Sequence, residues 1–359
     1  MSKTVPDFNI LEKVVFRKGI PDRIPFYEHF VDDQIIEEIM GYNFAGLDLT
    51  CTAGQLEMYR MKINFYRQLG YDYFPFEINP NFIPKQELAA DDTAVYSKGV
   101  RNWINEHEGP IRRIEDVEDD ANWPSPDNLF DYQLFAGICD LLPERMKIIG
   151  GAAGGPFEHA CFLMGSENLF VAIYDDEALV VRLFERIGQS LAEIAKRLVQ
   201  YEKLGIYRFG DDLGYKSATM LSPEMLRKYV FPWQKKVVLE AHKAGKAFIL
   251  HSCGQLQEVM DDLIDDVGID AKHSFEDAIM PVTEAKKRWG RRIAILGGVD
   301  VDFLCRRTPG EVKNYTLKIL EECSKNGGYA IGTGNTVTNY IPVKNYLAML
   351  EAAREFNGN

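Results

Sequence analysis

The sequence predicts a (β/α)8 barrel, the TIM-barrel form of the α/β class, from three observations. Eight short apolar runs recur along the chain, stretches with helical spacing separate them, and 359 residues suit one such barrel with excursions. Strands joined through helices need crossover connections, which build parallel sheets. An open doubly wound sheet is the alternative. The count of eight and the lack of a GxGxxG turn after the first run favour closure. A single barrel domain over residues 1–359 is expected.

The runs read, in order, IPFYEH (24–29), YFPFEI (73–78), MKIIGGA (146–152), IYRFGD (206–211), AFILH (247–251), IDAKH (269–273), IAILG (293–297) and YAIG (329–332). The clearest intervening helix carries Leu179, Val180, Leu183, Phe184, Ile187, Leu191, Ile194, Ala195 and Leu198 on one stripe. Ser222-Pro223-Glu224 reads as a helix start, with a serine cap, proline at the first helical position and an acid in the first turn. Two segments break the rhythm. Residues 95–113 read as a β-hairpin excursion over one barrel face, and 115–127, acidic with Pro124 and Pro126, as a solvated connector.

Composition limits the partners. Hydrophobic residues make up 46% and charged residues 26%, enough apolar surface for a large core. The formal charge of −13 and the absence of a basic run disfavour nucleic acid and anionic membranes. No 18-residue apolar stretch occurs, and the N-terminal MSKTVPDFNILEKVV lacks the apolar core of a signal peptide. Six irregularly spaced cysteines make no disulfide framework, so a cytoplasmic, reducing location is expected.

In a barrel, chemistry gathers at the C-terminal strand ends. Those ends carry His29, Glu77, Asp211 with Asp212, His251 with Cys253, His273 with Glu276, Asp300, and Thr333 with Asn335. Polar and charged groups so close to a hydrophobic barrel are costly unless they bind one another or a ligand. The fragment FILHSCG is the most informative. Residues i and i+2 of an extended chain point to one side, so the His251 imidazole and the Cys253 thiolate can converge on one ion. Zinc accepts both ligand types and tolerates a carboxylate, for which Glu276 is the nearest candidate. The bland alternative is a buried cysteine beside a histidine bonded to backbone. Asp211 and Asp212 read as an orienting carboxylate or a base, with helix capping as the alternative for Asp212. His29 and Glu77 are further catalytic candidates, and Glu158 with His159 would line the pocket. Cys305 and Cys323 fall on helical stretches and read as packing residues.

Four blocks, SPEMLRKYVFPWQKKV, LHSCGQLQEVMDDLIDDVGIDAKHSFED, RIAILGGVDVDFL and GYAIGTGN followed by NYIPVKNYLAMLE, resemble the C-terminal blocks of the uroporphyrinogen decarboxylase superfamily in sequence and order. The similarity runs from about Ile24 to Phe356. True decarboxylases of that superfamily carry an arginine-rich block after the first strand to hold a polycarboxylate; here it reads RIPFYEHFVDD, with no arginine after Arg23. The chain is more similar to the zinc- and cobalamin-linked methyltransferase branch, which has His-x-Cys after the fifth strand and a glutamate a little over twenty residues on. The resemblance implies zinc on His251, Cys253 and Glu276. It also implies a fourth ligand, a cysteine, in the turn where this chain has Gly332-Thr333-Gly334-Asn335, so Thr333 and Asn335 would face the cofactor without ligating as thiolates.

Methyl transfer is therefore the expected activity. Zinc would act as a Lewis acid on a small methyl donor such as an O-methyl ether, and the acceptor would be a corrinoid (cobalamin) on a separate protein. A metal-free decarboxylase of a small carboxylic acid is the rival enzyme. A binding module for a small molecule or a corrinoid protein, with no chemistry, is the rival outside enzymology.

Overall fold

Among the described residues, seven parallel strands carry the fold, each too short and too buried to stand alone. The computed structural model describes residues 5–82, 87–105 and 107–358. Strand β1 (Tyr73–Pro75) opens the sheet, and the chain then leaves for an antiparallel pair, β2 (Glu87–Asp91) and β3 (Val100–Ile104). It returns for β4 (Lys147–Gly150), β5 (Leu204–Gly210), β6 (Phe248–His251), β7 (Ala271–His273), β8 (Ala294–Leu296) and β9 (Tyr329–Ala330). The order β1-β4-β5-β6-β7-β8-β9 follows the chain, each step parallel, in a curled, TIM-barrel-like sheet with helices between the strands.

The expected first strand is reduced to one bridge, Phe26 to Ile331, flanked by Tyr27 N donating to Ile331 O at 2.8 Å and Ile331 N donating to Pro25 O at 3.0 Å. No ladder joins this segment to β1 among the described residues. Pro25 and Pro75 each remove an N–H from the two segments that would meet there. A side chain makes the seam instead: Glu28 N donates to the Tyr73 hydroxyl at 2.7 Å, and that hydroxyl donates to Glu28 O.

The hairpin expected over 95–113 lies at 87–104. Its first arm, ELAAD, is exposed throughout and lacks the alternation that marks a half-buried strand, so it left no pattern to read. Gly99, at φ +111°, lets the chain return, and Asp92 N donates to Gly99 O at 2.7 Å. Beyond β3, a short helix, Ile114–Glu118, begins where the Asp116 carboxylate accepts from Arg113 N at 3.1 Å. The connector expected at 115–127 is likewise ordered in part: Trp123 is buried and its Nε1 donates to Val117 O at 2.9 Å.

The helix Glu177–Leu198 buries every residue of the predicted stripe, and the Asp176 carboxylate accepts from Leu179 N at 3.2 Å. Each buried leucine there contributes about 1.5–3 kcal/mol of transfer free energy. Ser222 caps its helix as expected, accepting from Met225 N at 3.2 Å. Four residues later the helix widens over Leu226–Val230, where Phe231 N reaches back to Leu226 O, because Pro232 has no N–H to continue the regular ladder.

Register places the candidate site. Gly210 pairs with His251, and His251 pairs with His273, so two histidines stand side by side on adjacent strand ends next to a residue with no side chain.

Candidate metal centre

β6 is buried from end to end, which carries His251 to the rim of the sheet in a fixed orientation. The chain then turns sharply. Ser252 N donates to His273 O at 2.7 Å, and Cys253 N donates to the Asp212 Oδ1 at 2.9 Å. Gly254 sits at φ +81°, where a Cβ would come within 2.2 Å of the Gly214 backbone, so no other residue fits. The turn brings the Cys253 Sγ to 3.6 Å from the His251 Nε2. A carboxylate oxygen of Asp212 completes a group whose donor atoms all lie within 4.8 Å of one another.

These residues fit zinc. Tetrahedral zinc with a sulfur about 2.3 Å away and a nitrogen about 2.0–2.1 Å away separates the two donors by about 3.6 Å, the spacing that Sγ and Nε2 already have. In the metal-free chain, burial and the Asp212 charge push the Cys253 thiol up to about 12, so a cation entering here displaces a proton from sulfur. Burial, then the neighbouring His273, holds His251 well below the usual histidine range and keeps a ring lone pair available.

Among the carboxylates, Asp212 converges and Glu276 does not. Residue 275 pairs through its N–H with Gly334 O, and the chain then enters a turn in which Ile279 N and Met280 N donate to Glu276 O. That turn carries Glu276 onto the wall of a neighbouring cavity of about 670 Å³, also lined by Lys216, Phe275, Asp300, Phe303, Asn335 and Tyr340. Asn335 connects the two places: its Nδ2 donates to the Cys253 Sγ at 3.3 Å. Thr333 is fully buried and faces away, its N–H donating to the Glu28 carboxylate at 3.1 Å and its hydroxyl to the same group, while its carbonyl lies 3.0 Å from His273 Nε2.

His29 stacks on His251, ring centroids 3.9 Å apart. His29, His251 and His273 form a second cluster with donor atoms within 4.8 Å. Asp211 has a structural position: it accepts from Glu158 N at 2.9 Å and from Gln234 Nε2 at 2.7 Å, which seats the helix Pro156–Met164, and burial pushes its carboxyl up to about 7. Glu77 is tied to Arg208, whose Nε donates to Oε1 at 2.8 Å. Burial, then the charges of Asp212 and Asp211, raises Glu158 well above the usual carboxylate range, which favours its protonated form. His159 is fully buried on that helix, edge-on to Phe82, inside the protein rather than in the open pocket.

Sequence reasoning missed two residues. Arg208 is fully buried in β5, its Nη1 donating to His29 O at 3.0 Å and its guanidinium 4.7 Å from the Phe30 ring. A lone charge inside an all-apolar strand, IYRFG, was the available signal. Glu28 is also fully buried, and its carboxyl is pushed up to about 8 by burial. Its position between Tyr27 and His29 gave no period to read.

A sequence model of the uroporphyrinogen decarboxylase (URO-D) family matches residues 97–356. The methylcobamide:CoM methyltransferase MtbA of Methanosarcina acetivorans is 24% identical over 261 residues, 68% of this chain and 70% of that protein. The uroporphyrinogen decarboxylase of Coxiella burnetii is 23% identical over 264 residues, 69% of each chain. In three dimensions, a methyltransferase from Methanosarcina mazei matches with a TM-score of 0.72 at 15% identity, covering 98% of this chain and 99% of its own, a likeness of fold. Sequence similarity thus stands level between two chemistries. Among the described residues, no helix is long and apolar enough to cross a membrane.

Proposed function

This chain belongs to the uroporphyrinogen decarboxylase family, and from that premise we propose that it is a methyltransferase, moving a methyl group between a small donor and a corrinoid held by a separate protein. One observation carries the choice over decarboxylation: the Cys253 Sγ and the His251 Nε2 stand 3.6 Å apart with the Asp212 carboxylate beside them. A thiol, an imidazole and a carboxylate converging at a strand end form a donor set for zinc, a set that decarboxylation does not call for. The metal would be held by His251, Cys253 and Asp212, and when bound it supplies Lewis acidity toward the heteroatom that bears the methyl group.

The chain's own residues do the rest. The 670 Å³ cavity reaches the site at Asn335 and offers Phe275, Phe303 and Tyr340 as apolar walls, which suits an aryl methyl ether. The methyl group departs without its bonding electron pair, so the pair stays on the ether oxygen and a proton must arrive there. The donor we assign is Glu158, whose protonated form burial favours and whose Oε2 lies near Gly210, on the strand end next to His251. The MtbA relative is named for methylcobamide, which supports a corrinoid as the methyl acceptor or source.

The test is metal analysis of protein purified without chelator, followed by a methyl-transfer assay. About one zinc per chain is expected, lost in Cys253→Ser, with demethylation of an ether appearing once a reduced corrinoid protein is added. Carbon dioxide released from a carboxylated substrate by the chain alone would establish the decarboxylase instead.

A further inference from the structure

We propose that His273 and Thr333 are positioning residues that fix the tautomer of His251, so that its Nε2 lone pair faces Cys253. The argument starts at the far end. A backbone carbonyl only accepts hydrogen bonds, so the 3.0 Å contact between His273 Nε2 and Thr333 O requires a proton on Nε2. A second proton on His273 would create a fully buried cation beside the buried Lys272 and Arg208, with no carboxylate bonded to the ring among the described residues. His273 Nδ1 is therefore bare.

The contact between His273 Nδ1 and His251 Nδ1 is 2.8 Å. With His273 Nδ1 bare, His251 must donate, and its own Nδ1 carries the proton. The neutral ring then leaves Nε2 unprotonated, 3.6 Å from the Cys253 Sγ.

The anchor behind this relay is built in. The Thr333 N–H donates to the Glu28 carboxyl group, and its hydroxyl is hydrogen-bonded to that group and to Asn335 O, which holds the turn. Gly297 leaves the space: a Cβ there would lie 2.3 Å from Thr333 O and 2.8 Å from His273 Nε2, inside the hydrogen bond itself. Strand register sets the other half, because His251 and His273 are paired residues of β6 and β7. Sheet geometry, a glycine and a threonine thus orient a ring that the metal would otherwise have to select. That His251 is a metal ligand rests on the proposed function; its tautomer does not.

The experiment is long-range proton–nitrogen NMR on metal-free full-length chain labelled with nitrogen-15 histidine, followed by titration with Zn2+. The expected spectrum shows His251 protonated on Nδ1. His273→Phe keeps the ring volume and removes both nitrogens, so His251 should become a mixture of tautomers and Zn2+ affinity should fall about 10–100-fold. A wild-type His251 protonated on Nε2 overturns the proposal. So does a His273→Phe chain with unchanged tautomer and unchanged affinity. Should that variant not fold, the wild-type spectrum decides alone. His251 protonated on Nδ1 in a chain that binds no Zn2+ supports the relay and removes the metal reading instead.

Discussion

The amide of Asn335 donates to the thiol sulfur of Cys253 across 3.3 Å. The resemblance to the methyltransferase branch implies a second cysteine in this turn, and Asn335 is the side chain that reaches Cys253 from it. An amide nitrogen has no lone pair to give a cation, so in the proposed zinc site it would leave the position next to sulfur open for water or substrate. Asn335→Cys should supply the missing thiolate and tighten zinc at least about tenfold, while slowing turnover by filling the open position. Competition with a chromophoric chelator measures the first effect, and an initial-rate assay the second. Equal or weaker binding in Asn335→Cys would show that the Asn335 side chain cannot reach the metal.

The two carboxylates can be separated in the same way. Asp212→Asn should weaken zinc by an order of magnitude or more, because Asp212 lies within the cluster and also anchors Cys253 N. Glu276→Gln should change affinity by less than about threefold, and Cys305→Ser not at all, since Cys305 sits on the helix Val301–Arg306. The reverse ranking of Asp212 and Glu276 would restore the ligand set that the family resemblance implies.

How much of this could be read from residues alone follows from what each feature depends on. The closeness of His251 and Cys253 was legible from their i, i+2 spacing, although the strand ends at His251 and a turn, rather than strand alternation, brings the sulfur to the ring. That Asp212 rather than Asp211 stands beside Cys253 was not legible, because adjacency says nothing about which of the two turns toward the next strand. The course of the chain at Glu276 was not legible, because Phe275 N pairs with Gly334 O, nearly sixty residues away, just before the turn that begins at Glu276. The helix stripe at Leu179–Leu198 was legible in full, being periodic and wholly buried on one side. The exposed strand β2 was not, because a strand that buries nothing leaves no hydrophobic pattern.

Glu28 gives a pH dependence with a definite sign. Burial raises its carboxyl from the usual glutamate value of about 4.5 to about 8, against the lowering effect of the bonds from Thr333. Between those limits the folded chain holds a proton that the unfolded chain releases, so this group's contribution to stability is present at low pH and is lost as pH rises toward 8. Glu28→Gln has no such proton. The stability of the variant relative to wild type should therefore rise with pH across this window, by up to about 1.4 kcal/mol per unit. Urea unfolding at pH 5, 6.5 and 8 measures it; a constant difference across the three would contradict a raised Glu28.

Arg208 and Glu77 form a pair of a different kind from the many surface ion pairs. Both side chains are buried, Nε to Oε1 is 2.8 Å, and Nη1 also holds His29 O. Exposed pairs such as Arg288 with Glu284 contribute little because water screens them and their side chains lose entropy. Removing one member of a buried pair leaves the other charge without compensation, at a cost of about 3–5 kcal/mol. Arg208→Met should therefore destabilise the chain by that amount, whereas adding Glu77→Gln to it should recover part of the loss by removing the stranded charge. Arg288→Ala should cost less than about 1 kcal/mol. Equilibrium unfolding of the single and double variants closes the cycle. If Arg208→Met and the double variant lose the same stability, the cost lies in the cavity and the broken bond to His29 rather than in the charge. Because Arg208 bears on His29 and His29 stacks on His251, zinc binding by the double variant shows how far the pair also holds the His251 ring.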